Sequence, residues 1–288
     1  MLVPLPDHYG AAMTTLIQPR THDLGGGFEV RRAVPTLQAR SVGPFVFVDH
    51  MGPAVFERGA GIDVRPHPHI GLATVTFLWA GTIHHADTLG SSQDITVGDV
   101  NWMTAGRGIA HAERTPLSLR EGEQPLHGMQ TWVALPKAHE ETAPEFHHHP
   151  ASTLPQFRRD GAWVRVIAGR GFGEESPVRV FADTLNVALD LDPDAELSIP
   201  PSHAERALCA RGRCPARRRR RAGTPPRRAR CRFTGRAARE DAIEGDAVRR
   251  RAAGRPPAPV VELRVLVEGQ DRAGEGRLAS RPIRQGSG

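Results

Sequence analysis

The stretch RPHPHIGLATVTF, residues 65–77, sets two histidines on either side of one proline and then runs into alternating apolar residues. In a β-strand, residues i and i+2 project from the same face, so His67 and His69 point together, and LATVTF behind them reads as a strand with an apolar face. Two imidazoles on one face make half of a metal site. Read alone, the pair is better taken as a polar rim at a strand end, so a partner motif has to decide.

The partner is GDVNWMTAGRGIAHAERTP, residues 98–116, in which His111 and Glu113 repeat the i, i+2 spacing. The four side chains together offer three neutral nitrogens and one carboxylate. That set suits a divalent transition metal such as Fe(II), with one or two positions left open for water, oxygen or substrate. Gly98 with Asp99, and Gly106 with Gly108, are spaced for tight turns at the strand ends that bring the backbone back to the site.

The motifs lie in an all-β pattern. From Met13 to Pro136 short alternating runs such as GPFVFVDHM, LATVTFLWAG and MQTWVAL are punctuated by Gly, Pro and Asp, with no amphipathic helix of about 12 residues or more. Residues 13–136 are therefore expected to be one β-domain carrying the metal site, preceded by a dispensable extension, 1–12. Residues 137–160 are polar and Pro-containing and read as a linker. Alternation resumes in AWVRVIAGR, VRVFADTLNVALDL and AELSIPP, so residues 161–208 read as part of a second β-domain.

The 288 residues suffice for two such domains. No apolar run is long enough to span a membrane, and no basic-then-apolar leader opens the chain, so a cytoplasmic location is expected. Cys209, Cys214 and Cys231 are odd in number and lie in an arginine-rich segment, which argues against a disulfide framework; a zinc site there lacks a fourth ligand, since no histidine follows His203. The net charge of +6 is unevenly spread: residues 1–205 carry 15 basic against 24 acidic side chains, and residues 206–288 carry 23 arginines against 8 acidic ones. The basic excess belongs to the tail. From Cys209 that tail has neither a strand nor a helix period, and residues 209–288 are expected to be disordered.

Several other residues invite a functional reading and have a plainer one. His84 and His85 read as solvated turn residues or as the mouth of a pocket. Arg107 reads as an exposed loop arginine or an anion guide, and His147, His148 and His149 as a polar run on the linker. Trp79, Trp102 and Met103 read as barrel wall, with stacking on a planar ligand as the alternative.

HPHIGLATVTFLWAG and HHADTLGSSQDITVGDVNWMTAGRGIAHAE resemble the two cupin motifs in the form typical of the pirin family, and the likeness extends over about residues 13–208. The resemblance implies a bicupin of two double-stranded β-helix barrels, with a single iron in the N-terminal one held by His67, His69, His111 and Glu113. Ala73 stands where cupins generally carry a glutamate, and Thr104 where the second motif usually has proline; neither removes a ligand.

The family implies an enzyme that opens the central ring of flavonols such as quercetin. Its substrates would be a small aromatic or enediol compound and O2, with Glu113 moving between ligand and general base. Fe(II) is the expected cofactor, with another divalent transition metal as the alternative. The alternative function is an iron-containing, redox-sensitive coregulator that contacts transcription factors. No membrane partner is expected, and nucleic acid only as a minor alternative through the arginine-rich tail.

In the family the SHAERAL segment continues as an apolar strand of the second barrel, whereas here the chain turns to Arg, Ala, Gly and Pro, residues of GC-rich codons. Reading a family-like ending at one shifted offset yields Val-Glu-Leu-Arg and Arg-Ala-Gly-Glu-Gly-Arg-Leu, which stand at residues 261–264 and 272–278. A change of reading frame after Leu208, and an incomplete second barrel, are therefore expected.

Overall fold

The computed structural model describes residues 14–17, 19–25, 28–37, 39–192 and 195–199, and three further strands at 206–211, 230–233 and 262–267. Residues 1–12 lie outside the described residues. All regular structure among the described residues is β-strand or short 3-10 turn. The strands are β1 Thr14–Ile17, β2 Arg20–Asp23, β3 Glu29–Val34, β4 Phe45–Phe56, β5 Asp63–His69, β6 Leu72–Ala80, β7 Ile83–Asp87, β8 Ser92–Ile95, β9 Val100–Thr104 and β10 Ile109–Arg114. They continue as β11 Gln124–Ala134, β12 Glu145–His149, β13 Gln156–Arg159, β14 Ala162–Gly171, β15 Glu174–Glu175, β16 Leu185–Leu191, β17 Glu196–Ile199, β18 Arg206–Arg211, β19 Arg230–Phe233 and β20 Glu262–Val267. No helix among the described residues is long and apolar enough to cross a membrane.

Two antiparallel sheets face each other, a seven-stranded one in the order β12-β9-β6-β11-β4-β3-β2 and a four-stranded one in the order β5-β10-β7-β8. Strand β6 shows how the sequence builds them. Ala73 to Leu78 are all buried, so this strand is covered on both faces. Its odd residues Ala73, Val75 and Phe77 pack outward with Trp102 and Val133 against Ile167, Ala168 and Ala188 of the second unit. Leu78, on the opposite face, meets Val30, Met51 and Leu126 of its own sheet and Ile62, Ile83 and Ile95 across the barrel. This is the double-stranded β-helix, the cupin fold, and it gives the interior an apolar filling around the β6–β7 turn.

Two glycines expected at turns have conformations that require them. Gly98 (φ +85°) and Gly106 (φ +51°) lie in the left-handed region, and a Cβ on Gly106 would fall 2.1 Å from the Thr142 carbonyl oxygen. Asp99 accepts hydrogen bonds from the Thr96 amide and hydroxyl and from the Ala151 amide, which ties the turn before β9 to the chain after β12.

The second unit is built around β14, which pairs with β13, β15 and β16. Residues 137–160, expected as a linker, carry β12, whose pairing with β9 runs from Glu145↔Thr104 to His149↔Val100. EFHHH lacks apolar alternation because β12 is the edge of the sheet and gains its order from backbone pairing.

The expected disorder of 209–288 is corrected where strands are described. Strand β20 lies between β1 and β18, and β19 runs parallel to β17. ELRVLV is rich in branched residues that favour extended backbone, a local preference that the composition of the whole tail hid. The change of reading frame expected after Leu208 is not borne out; strand β18 runs across that position, pairing Leu208 with Val265 and Arg211 with Glu262. The other residues of 209–288 lie outside those described.

A polar pair, buried His50 and half-buried His127, sits on the outer face of the large sheet. His50 Nδ1 accepts from the Arg31 guanidinium at 2.7 Å, so its Nε2–H donates to His127 Nε2 at 2.9 Å. The His127 ring stacks on Trp79 with centroids 4.9 Å apart, which keeps Trp79 in the wall as expected.

Two outcomes follow from this packing. Leu78 is fully buried between the sheets, and Leu78→Ala is expected to cost about 2–5 kcal/mol of unfolding free energy, read from urea melts. Burial, then the charges of Arg31 and His127, lower the His50 pKa from 6.5 to about 3. The unfolded chain therefore binds a proton below about pH 6.5 that the folded chain refuses until about pH 3, and stability falls as pH drops through that window. His50→Gln should make the loss of stability between pH 6.5 and 4 shallower, by up to about 1.4 kcal/mol per pH unit; equal slopes in urea melts would exclude this origin.

Candidate metal centre

The site is made by the register of the small sheet. Antiparallel pairing of β5 with β10 sets His111 directly opposite His67, and Ile109 opposite His69. The three rings gather as a result: centroids are 4.8 Å apart for His67–His69, 4.5 Å for His67–His111 and 5.0 Å for His69–His111. A register shift between His111 and Glu113 re-aims the carboxylate.

His67, His69 and His111 can each offer a nitrogen within 4.8 Å of the others. Glu113 joins a second set of the same size, with His111 and His85. Of the four residues expected from the sequence, His67, His69 and His111 fall in one group, while Glu113 shares only His111 with them and is grouped with His85 instead. His69 Nε2 and His111 Nε2 are 3.0 Å apart. His67 Nδ1–H donates to the Arg65 carbonyl at 2.8 Å, which leaves its Nε2 lone pair free to act as a ligand.

Burial sets the protonation of the site. It lowers the His111 pKa to about 2, helped by the charges of His67, His69 and His85, and lowers that of His69 to about 4, helped by His67. Both are neutral near pH 7, the form in which imidazole binds a metal. Burial raises the Glu113 pKa, against the opposing pull of His85, Thr76 and His67. The Thr76 hydroxyl lies 3.2 Å from Glu113 Oε1 and 2.8 Å from Gln130 Oε1, so its single proton serves either one. The donor set, two neutral buried imidazoles with a third half-buried one and a shielded carboxylate alongside, fits a divalent transition metal.

His85 departs from its plainer reading. It lies in β7, not in a turn, and is buried directly opposite Glu113. Asp87, opposite His111, holds its Oδ2 2.9 Å from His85 Nε2. Burial works against ionisation of Asp87, but hydrogen bonds from His85, Ser91 and Leu89 prevail and hold its pKa below the usual carboxylate range. The sequence signal was present as HAD, residues 85–87, a third i, i+2 polar pair between the two motifs. His84 instead pairs with Asp94 at the outer side of that strand, at 2.6 Å.

Sequence reasoning also missed Thr76, Gln130, Phe47 and Trp132. Trp132 meets the His69 ring edge-on at 4.8 Å and stacks on Phe47 at 4.0 Å. Arg32 lies over the Phe47 ring and makes a two-pronged ion pair with buried Asp49, at 2.8 and 2.7 Å. Thr76, Gln130 and Trp132 read as ordinary strand residues until the large sheet folds over the small one.

The remaining expectations concern neighbours of the site. Met103 and Trp102 are buried in the wall, Trp102 donating its indole N–H to Thr104 at 3.2 Å. Ala73 is fully buried on the outer face, away from the imidazoles. Arg107 is exposed. Of the histidine run, His148 bonds Asn101 at 2.8 Å and His147 lies 3.2 Å from Glu145.

Comparison with known proteins agrees with this architecture. The sequence model of the pirin family matches residues 27–133. A pirin-like protein of Caulobacter vibrioides is 48% identical over 191 residues, covering 65% of this chain and 66% of the relative. Human pirin is 34% identical over 189 residues, covering 65% of this chain and 62% of the relative. A crystal structure described as quercetin 2,3-dioxygenase from Acinetobacter baumannii superimposes with a TM-score of 0.59 at 40% identity, covering 63% of this chain and 59% of that one. The chain spans about two thirds or less of the length of these relatives. Sequence motifs, cupin architecture and these matches agree that the chain belongs to the pirin family.

Proposed function

We propose that the chain is a metal-dependent dioxygenase that opens the central ring of a flavonol such as quercetin, with Fe(II) held by His67, His69, His111 and Glu113. The observation that carries this reading is the convergence of three imidazoles from β5 and β10, two of them kept neutral by burial, beside a shielded carboxylate. Likeness to a chain described as quercetin 2,3-dioxygenase supports the substrate class. In the same reading residues 13–136 are the catalytic barrel, and residues 161–208 belong to a second cupin that backs it.

A bound divalent metal supplies Lewis acidity, which lowers the pKa of a coordinated hydroxyl on the substrate. The protein's own groups do the rest. Glu113, with its pKa raised by burial, takes up a proton more readily than an exposed carboxylate, which suits a base acting on that hydroxyl. The Thr76 hydroxyl donates to either Glu113 Oε1 or Gln130 Oε1, so Gln130 competes with Glu113 for that proton. The stacked pair Phe47 and Trp132 offers a flat apolar surface beside His69, matched to a planar polycyclic substrate.

The test is direct. The full chain is loaded anaerobically with Fe(II), mixed with quercetin and O2, and followed by loss of flavonol absorbance. Turnover is expected in the wild type and only background in His67→Ala and His111→Ala, which should also retain no stoichiometric iron after gel filtration. Wild-type rates no higher than those variants would remove flavonols as substrates.

A further inference from the structure

Beyond His111, on the side away from His67 and His69, two buried polar residues are in line with its ring. His85 Nδ1 lies 3.4 Å from His111 Nδ1, and His85 Nε2 lies 2.9 Å from Asp87 Oδ2. The side chains of His85 and Asp87 are 3% and 0% exposed. Each is held in place independently. The His85 ring lies flat on Phe146, with centroids 4.2 Å apart and planes 12° apart. Asp87 Oδ1 accepts the amide N–H groups of Leu89 and Ser91 at 2.9 and 3.1 Å.

We propose that Asp87 and His85 are positioning residues that select the metal-binding tautomer of His111. Asp87 Oδ2 accepts only, so the proton of neutral His85 resides on Nε2 and leaves a lone pair on Nδ1. That lone pair accepts the Nδ1–H of His111. The His111 proton is thereby held on the nitrogen away from the ligand set, and its Nε2 lone pair is presented beside His69 Nε2. Ligating histidines commonly donate their second N–H to a fixed acceptor, and loss of that acceptor typically weakens metal binding about 10- to 100-fold. Here the acceptor is a second histidine, itself oriented by a carboxylate. The proposal rests on the assignment of His67, His69 and His111 as ligands.

The set His85, His111 and Glu113 also allows His85 to be a ligand itself, and the experiment separates the two roles. Affinity for Co(II) is measured by chelator competition on the full chain as wild type, Asp87→Asn, His85→Phe, the double variant and His67→Ala, with apo unfolding midpoints recorded for each. Asparagine keeps the Oδ1 contacts to Leu89 and Ser91 but turns a donor toward His85 and reverses its tautomer. Phenylalanine keeps the stack on Phe146 and removes the acceptor.

Each single variant is expected to bind Co(II) about 10- to 100-fold more weakly, the double variant no more weakly than His85→Phe, and the visible spectrum of the saturated protein should keep its shape. Wild-type affinity in Asp87→Asn, alongside weak binding in His67→Ala, would overturn the relay and leave the metal site standing. A full extra loss from Asp87→Asn in the His85→Phe background would assign Asp87 to the turn alone and overturn the relay. A changed saturated spectrum in His85→Phe would make His85 a ligand and overturn it too. Unchanged affinity in His67→Ala would overturn the ligand assignment itself.

Discussion

The antiparallel pairing of β5 with β10 is the constraint on which the interior of the barrel depends. It places His111 opposite His67 and so joins two motifs that lie far apart along the chain. Side chains alternate faces along a strand, so a slip of one residue would turn these imidazoles out of the barrel. The register shift after His111 adds a local correction, aiming Glu113 toward Thr76 of the facing sheet. The pairing of β10 with β7 on its other side repeats the device, setting Asp87 and His85 opposite His111 and Glu113.

Burial then gives this geometry its chemistry. The same low-polarity surroundings that depress the His69 and His111 pKa values raise that of Glu113. Imidazoles are left neutral with lone pairs available, and the carboxylate is made more willing to hold a proton. Trp132, stacked on Phe47, covers the His69 ring, and Phe146 covers His85, while the apolar clusters around Leu78 and on the outer face of the large sheet pack the sheets themselves. Outside that wall, Arg31, His50, His127 and Trp79 form a separate polar assembly with its own acid sensitivity.

Much of the first barrel was legible because its signals are local. HPH and HAE have the strand period, the alternating runs mark the walls, and glycines stand where the backbone needs positive φ, as at Gly98 and Gly106. Other features lacked a local signal. EFHHH looked like loop because an edge strand needs no apolar face, and β20 was hidden in the arginine-rich composition around it. His85 looked like a turn residue because HHAD is short and polar, yet cross-strand pairing buries it.

The sequence by itself determined the fold class and pointed to His67, His69 and His111 as a cluster, because strand periodicity and residue chemistry are properties of short segments. Only the tertiary structure decided which residues complete the site. Thr76, Gln130 and Trp132 reach it from the facing sheet, and Asp87 and His85 from the neighbouring strand. The physical reason is that hydrogen bonds and ring contacts in a barrel run between strands, at right angles to the chain. Which residues meet there is settled by register and sheet closure, and neither is written in any one segment.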